Sequence, residues 1–535
     1  MKVWGSFFVL AAVLIVAAWW WLGRPVAMPV APLAPGEKLH CVSYVPFRGD
    51  QTPLDLSTRI PAWQIEQDLA RLAPLTNCVR TYAVHLGLDQ IVPIAQRDGL
   101  KVLLGIWLGP DPVFNQHQVE VATDLANRYP DVVQAIVVGN EVLLRGELSA
   151  EALGNIIRKV KAAVKVPVTY ADVWEFWLRN RELASAVDFV TVHILPYWED
   201  FPIPASAAAD HVASIEHLVA NAFPGKEILV GEFGWPSFGR MRDGALPSPV
   251  NQASTMQQVL ARAKQDGFRV NLIEAFDQPW KRALEGTVGG HWGLLFGGSR
   301  EPKFAWGQPV SNHSHWIWQA LGGVLLAAAV FGIAWRTGGP PEKVPVELRA
   351  GVLVNAVGPG ILIGWAVANA PLESFGFGGW ARSLAMLAVA LVAPLAATAA
   401  LLHRSPAPAF GQVLGRSTER PAHFLSLVLG TGLIILIVLA IGTALGLVFD
   451  PRYKDFPFVP LTAAAIPYVT LTVFTGWPEH GVTRRAELVA AIVLALSAIY
   501  IVINESLANW QAVWLAGVLL TLAVILAPVR AARSS

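Results

Sequence analysis

Two glutamates in this 535-residue chain each close a short apolar run beside a small residue. Glu141 ends VVQAIVVGNE, after Gly139 and Asn140, and Glu232 sits in GEFGWP, after Gly231. A lone glutamate at such a place is ordinarily a salt-bridge partner or a helix cap. Two of them, both amid aromatic residues, suit a sharper task. Glycosidic bond cleavage needs one carboxyl that holds a proton for the leaving oxygen. It also needs a second, ionised, that attacks or stabilises an oxocarbenium-like centre. Their surroundings must push the two pKa values apart.

Other residues fall where they could serve such a pair. Tyr197, in HILPYW, could donate a hydrogen bond to a carboxylate nucleophile, and His193 in the same stretch either lines the site or is a buried structural histidine. Arg80 lies inside the apolar run VRTYAV, where a charge is costly without a partner, so it is expected to brace a carboxylate from beneath. Tyr44, Tyr82, Trp235 and Trp280 could stack on sugar rings or simply pack a core. Asp277 and Lys281, in FDQPWK, either bind hydroxyls or pair with each other. No G-x-S-x-G, H-E-x-x-H or Walker-type loop is present, and no cofactor is expected. The two cysteines, Cys41 and Cys78, belong to no metal-ligand spacing, so no metal is expected. They form either a disulfide or two small buried hydrophobes.

The elements that must carry these residues are legible as a pattern. Eight short apolar runs, at 41–45, 79–84, 101–107, 132–140, 166–172, 187–194, 227–233 and 269–276, alternate with amphipathic stretches such as AWQIEQDLARLA. That alternation predicts an α/β fold, a (β/α)8 barrel over residues 37–310, with active residues at the carboxyl ends of the strands. A doubly wound open sheet is the alternative, but the first turn, SYVPFRGDQTP, has no G-x-G-x-x-G.

The rest reads as membrane. Hydrophobic residues make up 54% and charged residues 15%, against about 25% charged in soluble domains. Residues 1–24 hold an uncharged apolar stretch ending in Trp19, Trp20 and Trp21, which predicts a transmembrane anchor, followed by a Pro-rich linker at 25–36. Residues 311–535 predict an all-α transmembrane domain of about seven helices, near 315–335, 350–370, 383–402, 424–448, 459–476, 487–503 and 510–527. Basic residues concentrate in alternate connectors: Arg336, Lys343, Arg349; Arg404, Arg416, Arg420; Arg484, Arg485; Arg530, Arg533. The positive-inside rule then places both termini in the cytoplasm and the barrel outside, with the lipid bilayer as a partner. The net charge of +1 gives no reason to expect nucleic acid.

The stretches VRTY (79–82), VVGNEVL (137–143), VGEFGWPS (230–237), EAFDQPWK (274–281) and GGHWGLL (289–295) together resemble glycoside hydrolase family 17, the β-1,3-glucanases and glucanosyltransferases. The resemblance implies that Glu141 is the general acid/base and Glu232 the nucleophile of a retaining mechanism on β-1,3-glucan. It further implies that Asn140 contacts the sugar 2-hydroxyl and that Tyr197 contacts the nucleophile. Phe233 departs from the threonine usual in plant members. The whole arrangement resembles rhizobial membrane proteins implicated in adding β-1,6 linkages to cyclic β-(1,3),(1,6)-glucans. That resemblance implies a multi-pass protein of a bacterial inner membrane, a periplasmic catalytic domain, and a separate membrane glucan synthase as a partner. The expected activity is glucan transfer, with hydrolysis as the close alternative and a non-catalytic, export-assisting protein as the distant one.

Overall fold

The computed structural model describes residues 2–338, 344–414, 424–476 and 484–527. Of the basic residues invoked for orientation, Lys343, Arg416, Arg420, Arg530 and Arg533 lie outside the described residues. The chain divides into two compact units, Val26–Val310 and Met1–Pro25 with Ser311–Ser535.

The first unit is a closed barrel of eight parallel strands: β1 (Cys41–Ser43), β2 (Cys78–Arg80), β3 (Lys101–Ile106), β4 (Val133–Asn140), β5 (Val168–Val173), β6 (Val190–His193), β7 (Ile228–Phe233) and β8 (Arg269–Leu272). Each strand pairs with the next, and β8 pairs with β1. Strand alternation sorts the side chains to two faces. Val42, Val79, Val102, Leu104, Ile136 and Val138 join the core shared with the surrounding helices. Cys41, Cys78, Leu103, Ala135, Val137, Ala171 and Leu229 form a separate buried cluster, which the alternation places inside the barrel. Helix entry is specified locally: Asp111 and Ser149 cap the helices Pro112–Arg128 and Ala150–Ala163 by accepting from backbone amides of the first turn.

Cys41 and Cys78 are joined by a disulfide between the adjacent strands β1 and β2, which settles the choice left open by the sequence. The bridge closes a loop with a sequence separation of 37. Removing it by replacing both cysteines with alanine is expected to cost about 2–5 kcal/mol. The fall in denaturation midpoint of the full chain measures this, and an unchanged midpoint would show the bridge to be idle.

Among the described residues of the second unit, seven helices are long and apolar enough to cross a membrane: Val3–Leu22, Trp316–Gly338, Val346–Glu373, Gly376–Leu402, Phe424–Phe449, Phe458–Thr475 and Arg485–Glu505. The helix Trp510–Leu526 is apolar but shorter. The amino-terminal helix packs into this bundle. Its Ala11, Ile15 and Trp19 are fully buried, and Ile15 lies over Gly323 and Gly360, where a β-carbon would collide. Arg336, Arg349, Arg404, Arg484 and Arg485 fall at or beside helix ends, a placement compatible with a membrane-spanning bundle. Two polar contacts tie helices and connectors together: the Phe410 backbone amide donates to Glu487 Oε1 at 2.7 Å, and Asn509 caps the last helix.

Candidate active site

Glu141 reaches the cleft because the strand is bent before it. Gly139 has φ +90° and Glu141 itself φ +54°, both in the left-handed region. A regular strand would send Asn140 and Glu141 to opposite faces; this turn brings both to the barrel mouth. Glycine is required at 139 by its φ, and a β-carbon there would also lie 2.7 Å from Val142 Cγ2. Strain of this kind persists where surrounding contacts over-determine it. Here Arg145 holds the loop by donating to the carbonyls of Asn140 and Leu108 and to Glu147, while its guanidinium stacks on Trp107.

Glu232 is set from β7, where the register shifts against both neighbouring strands. Gly231 leaves room beneath it, since a β-carbon there would lie 2.3 Å from Thr191 Cγ2. Arg80 occupies that level. Its Nη1 donates to Gly231 O at 2.7 Å and to Glu232 Oε1 at 2.9 Å, and its Nη2 donates to Asn140 Oδ1 at 2.6 Å. Tyr82 OH donates to the same Oε1 at 2.8 Å. Arg80 thus forms an ion pair with a carboxylate. Its partner is Glu232.

His193 lies between the two glutamates, fully buried. Its Nδ1 is 2.8 Å from Glu141 Oε1, and its Nε2 is 3.2 Å from Arg80 Nη2 and 3.5 Å from Glu232 Oε1. Oxygen atoms of Glu141 and Glu232 and a ring nitrogen of His193 all lie within 4.8 Å of one another. By atom type these three could ligate a cation, but the Arg80 guanidinium, in contact with two of them, opposes one. Burial pushes the Glu141 carboxyl up. The hydrogen bond with His193 and the nearby Arg80 and Arg145 outweigh that, so it lies below the ordinary carboxylate range.

Several residues that the sequence nominated are elsewhere. Tyr44 is buried, its hydroxyl donating to Asp68 Oδ2 at 3.1 Å. Trp235 is fully buried in a cluster with Tyr197 and Trp292, its Nε1 donating to Leu246 O at 3.1 Å. Neither offers a ring face to a ligand. Tyr197 is also fully buried and donates to Arg240 O at 2.8 Å; the phenol that donates to Glu232 is Tyr82. Asp277 and Lys281 do not pair with each other. Asp277 holds Lys303 Nζ at 2.6 Å and Gly293 N at 3.0 Å, while Lys281 Nζ holds Glu274 Oε2 at 2.7 Å. Trp280 stays half-buried near the surface, as do Tyr82, Trp107, Trp174 and Trp198.

The sequence reading missed Ser43, Asn271 and Glu274. Ser43 Oγ donates to Tyr82 OH, whose own hydrogen goes to Glu232, and accepts from Asn271 Nδ2, which also donates to Gly231 O. The signal was available: a polar residue at an inward position of an apolar strand, the same cue that exposed Arg80. Glu274 pairs with Lys281, and burial, only partly opposed by Lys281, pushes its carboxyl up to about 7.

A parallel (β/α)8 barrel with two close carboxylates at its carboxyl-terminal mouth is the architecture of a glycoside hydrolase. The BtgE/BtgC glycoside hydrolase domain matches residues 41–293. A glucan 1,3-beta-glucosidase of Schizosaccharomyces pombe is 31% identical over 236 residues, 40% of this chain and 72% of that protein. One of Candida albicans is 29% identical over 267 residues, 46% of this chain and 85% of that protein. The structure of a beta-1,3-glucanosyltransferase of Rhizomucor miehei in complex with laminaritriose shares 27% identity, covering 49% of this chain and 95% of that one at a TM-score of 0.44. This chain belongs to the BtgE/BtgC-type β-1,3-glucanases, the family 17 glycoside hydrolases that its motifs resemble.

Proposed function

We propose that this protein is a membrane-anchored retaining enzyme of β-1,3-glucan that transfers the glycosyl unit to a sugar acceptor. The observation that carries the reading is the approach of the Glu141 and Glu232 carboxyl oxygens to within 4.8 Å. Retaining enzymes hold their carboxyl groups about 5–5.5 Å apart, whereas inverting enzymes leave about 6.5–9.5 Å for a water. The family relatives named above are glucan 1,3-beta-glucosidases, which supports the substrate class.

In this mechanism Glu141 gives its proton to the glycosidic oxygen as the C1–O bond breaks, and Glu232 bonds to C1. Oε1 of Glu232 already accepts from Arg80 and Tyr82, so Oε2 is the attacking atom. The Asn140 Oδ1 is taken by Arg80, which leaves its amide nitrogen to donate to the sugar 2-hydroxyl. A bound sugar covers the partly exposed Glu141 side chain and adds desolvation, the direction that loads it with a proton. Glu141 then takes a proton from whatever intercepts the glycosyl-enzyme, water or a sugar hydroxyl. Capture by a 6-hydroxyl would create a β-1,6 branch without a nucleotide donor.

The apolar helices support a bilayer-embedded unit, and the basic connectors support cytoplasmic termini with the barrel in the periplasm, where the Cys41–Cys78 disulfide persists. A membrane glucan synthase in the same bilayer would supply the donor chain. Incubating the full chain with laminaripentaose is expected to give products longer than the starting sugar, with new linkages visible by NMR. If only shorter sugars form, the protein is a hydrolase.

A further inference from the structure

His193 touches both proposed catalytic carboxylates, and counting donors around it favours one tautomer. A guanidinium has hydrogens to give and no lone pair to accept with. The four Nη hydrogens of Arg80 go to Gly231 O, Glu232 Oε1, Asn140 Oδ1 and, at 3.2 Å, His193 Nε2. A hydrogen bond from Nη2 to Nε2 requires Nε2 to be the bare, accepting nitrogen of the ring, the assignment that the tautomer measurement below decides. The single N–H of the neutral imidazole is then on Nδ1, and it points at Glu141 Oε1, 2.8 Å away.

We propose that His193 is a positioning residue that assigns different tasks to the two oxygens of Glu141, rather than a structural histidine. The idea rests on the acid/base reading of Glu141. Oε1 permanently receives the Nδ1–H, so the transferable proton is confined to Oε2, the oxygen left to meet the glycosidic bond. When Oε2–H gives that proton away, the C1–O bond breaks with its electron pair on the leaving oxygen, and the Nδ1–H···Oε1 bond becomes a stronger, charge-assisted one. His193 thereby stabilises the carboxylate that forms in the transition state and makes Glu141 a stronger acid. Arg80 completes the device, because its hydrogen on Nε2 holds the ring in the productive tautomer. Other charged groups face Glu141 too: Arg80 from β2, Arg145 from the loop after β4, Asp172 from β5, Glu232 from β7 and Glu285 beyond β8. None replaces a donor on Oε1. The downward displacement of the Glu141 carboxyl agrees with this bond.

The test compares His193→Leu, which removes the donor, with His193→Gln, which keeps an N–H, in the detergent-solubilised full chain. Two donors are used, laminaripentaose and 2,4-dinitrophenyl β-laminaribioside, whose leaving group needs no proton. For the leucine variant, kcat/KM on laminaripentaose should fall roughly 10–100-fold, and on the dinitrophenyl donor less than about 3-fold. The alkaline limb of the laminaripentaose profile, where Glu141 loses its proton, should move up by about one pH unit, and glutamine should restore it. Equal losses on both donors with an unmoved limb would overturn the proposal and leave His193 a packing residue. Imidazole nitrogen-15 shifts of the wild-type chain read the tautomer without any substitution. An Nδ1–H ring is expected, and an Nε2–H ring would also overturn it. If wild-type protein turns over neither donor, the enzyme reading itself fails first.

Discussion

Glu232→Gln is expected to abolish turnover of laminari-oligosaccharides, with kcat falling roughly 10⁴-fold or more, the scale seen when a covalent nucleophile is removed. The amide is nearly isosteric, and its oxygen still accepts from Arg80 Nη1 and Tyr82 OH, as Oε1 does in the wild type. The barrel should therefore fold, and the lost activity can be assigned to the missing nucleophile. Substrate binding should survive, since the amide removes little contact area. Glu232→Ala sharpens the result by opening a space beneath C1. Azide entering that space attacks from the face opposite the departing β-oxygen, so the product expected with an activated β-donor is the α-glycosyl azide. A Glu141→Ala variant should instead give the β-azide, because the anion then intercepts the intact glycosyl-enzyme. Full turnover in Glu232→Gln would remove Glu232 as the nucleophile; no turnover by the wild type, with glucan binding intact, would favour a protein that only binds or helps export glucan.

How much of this site was written in the sequence follows from what each residue's surroundings require. The strands are short and buried on both faces, so they show as apolar runs with sharp ends, and Glu141 and Glu232 were visible as the charges that close two of them. Arg80 was visible because a guanidinium inside an apolar run demands a partner. The aromatic residues were not legible in the same way. Trp235 and Tyr197 are large and flank the motifs, yet both are fully buried, one donating to Leu246 O and the other to Arg240 O. An indole or phenol that fills a core has the same one-dimensional signature as one that meets a ligand. Lys281 and Asp277 show the same limit for charges. Proximity in FDQPWK suggested a pair, but the chain turns between them and sends each to a more distant partner, Glu274 and Lys303. The role of Tyr82 was open for a different reason. It stands two residues past Arg80, on the same face of the β2 run, and only closure of the barrel brings it to β7.

Arg80→Met is expected to be the most damaging substitution for both stability and activity. The side chain is 0% exposed, and its Nη atoms saturate four acceptors on β4, β6 and β7. Methionine fills much of the volume but gives no hydrogens. It leaves Glu232 as a buried carboxylate without its counter-charge, supported by Tyr82 alone. Breaking a buried ion pair from one side costs about 3–5 kcal/mol, most of it the penalty for the stranded charge. Activity should fall roughly 10²-fold or more, because Glu232, Asn140 and His193 each lose the contact that orients them. The same logic predicts a rescue that mere loss of packing would not show. In Arg80→Met/Glu232→Leu the stranded charge is gone, so the double variant should be more stable than Arg80→Met although it carries one more substitution. A thermal-denaturation cycle over the wild type, both single variants and the double variant measures that coupling directly. Additive losses would mean that Arg80 acts as packing. A negative interaction of a few kcal/mol, about 2–4, would mean that the arginine is present chiefly so that a charged glutamate can exist at the mouth of the barrel.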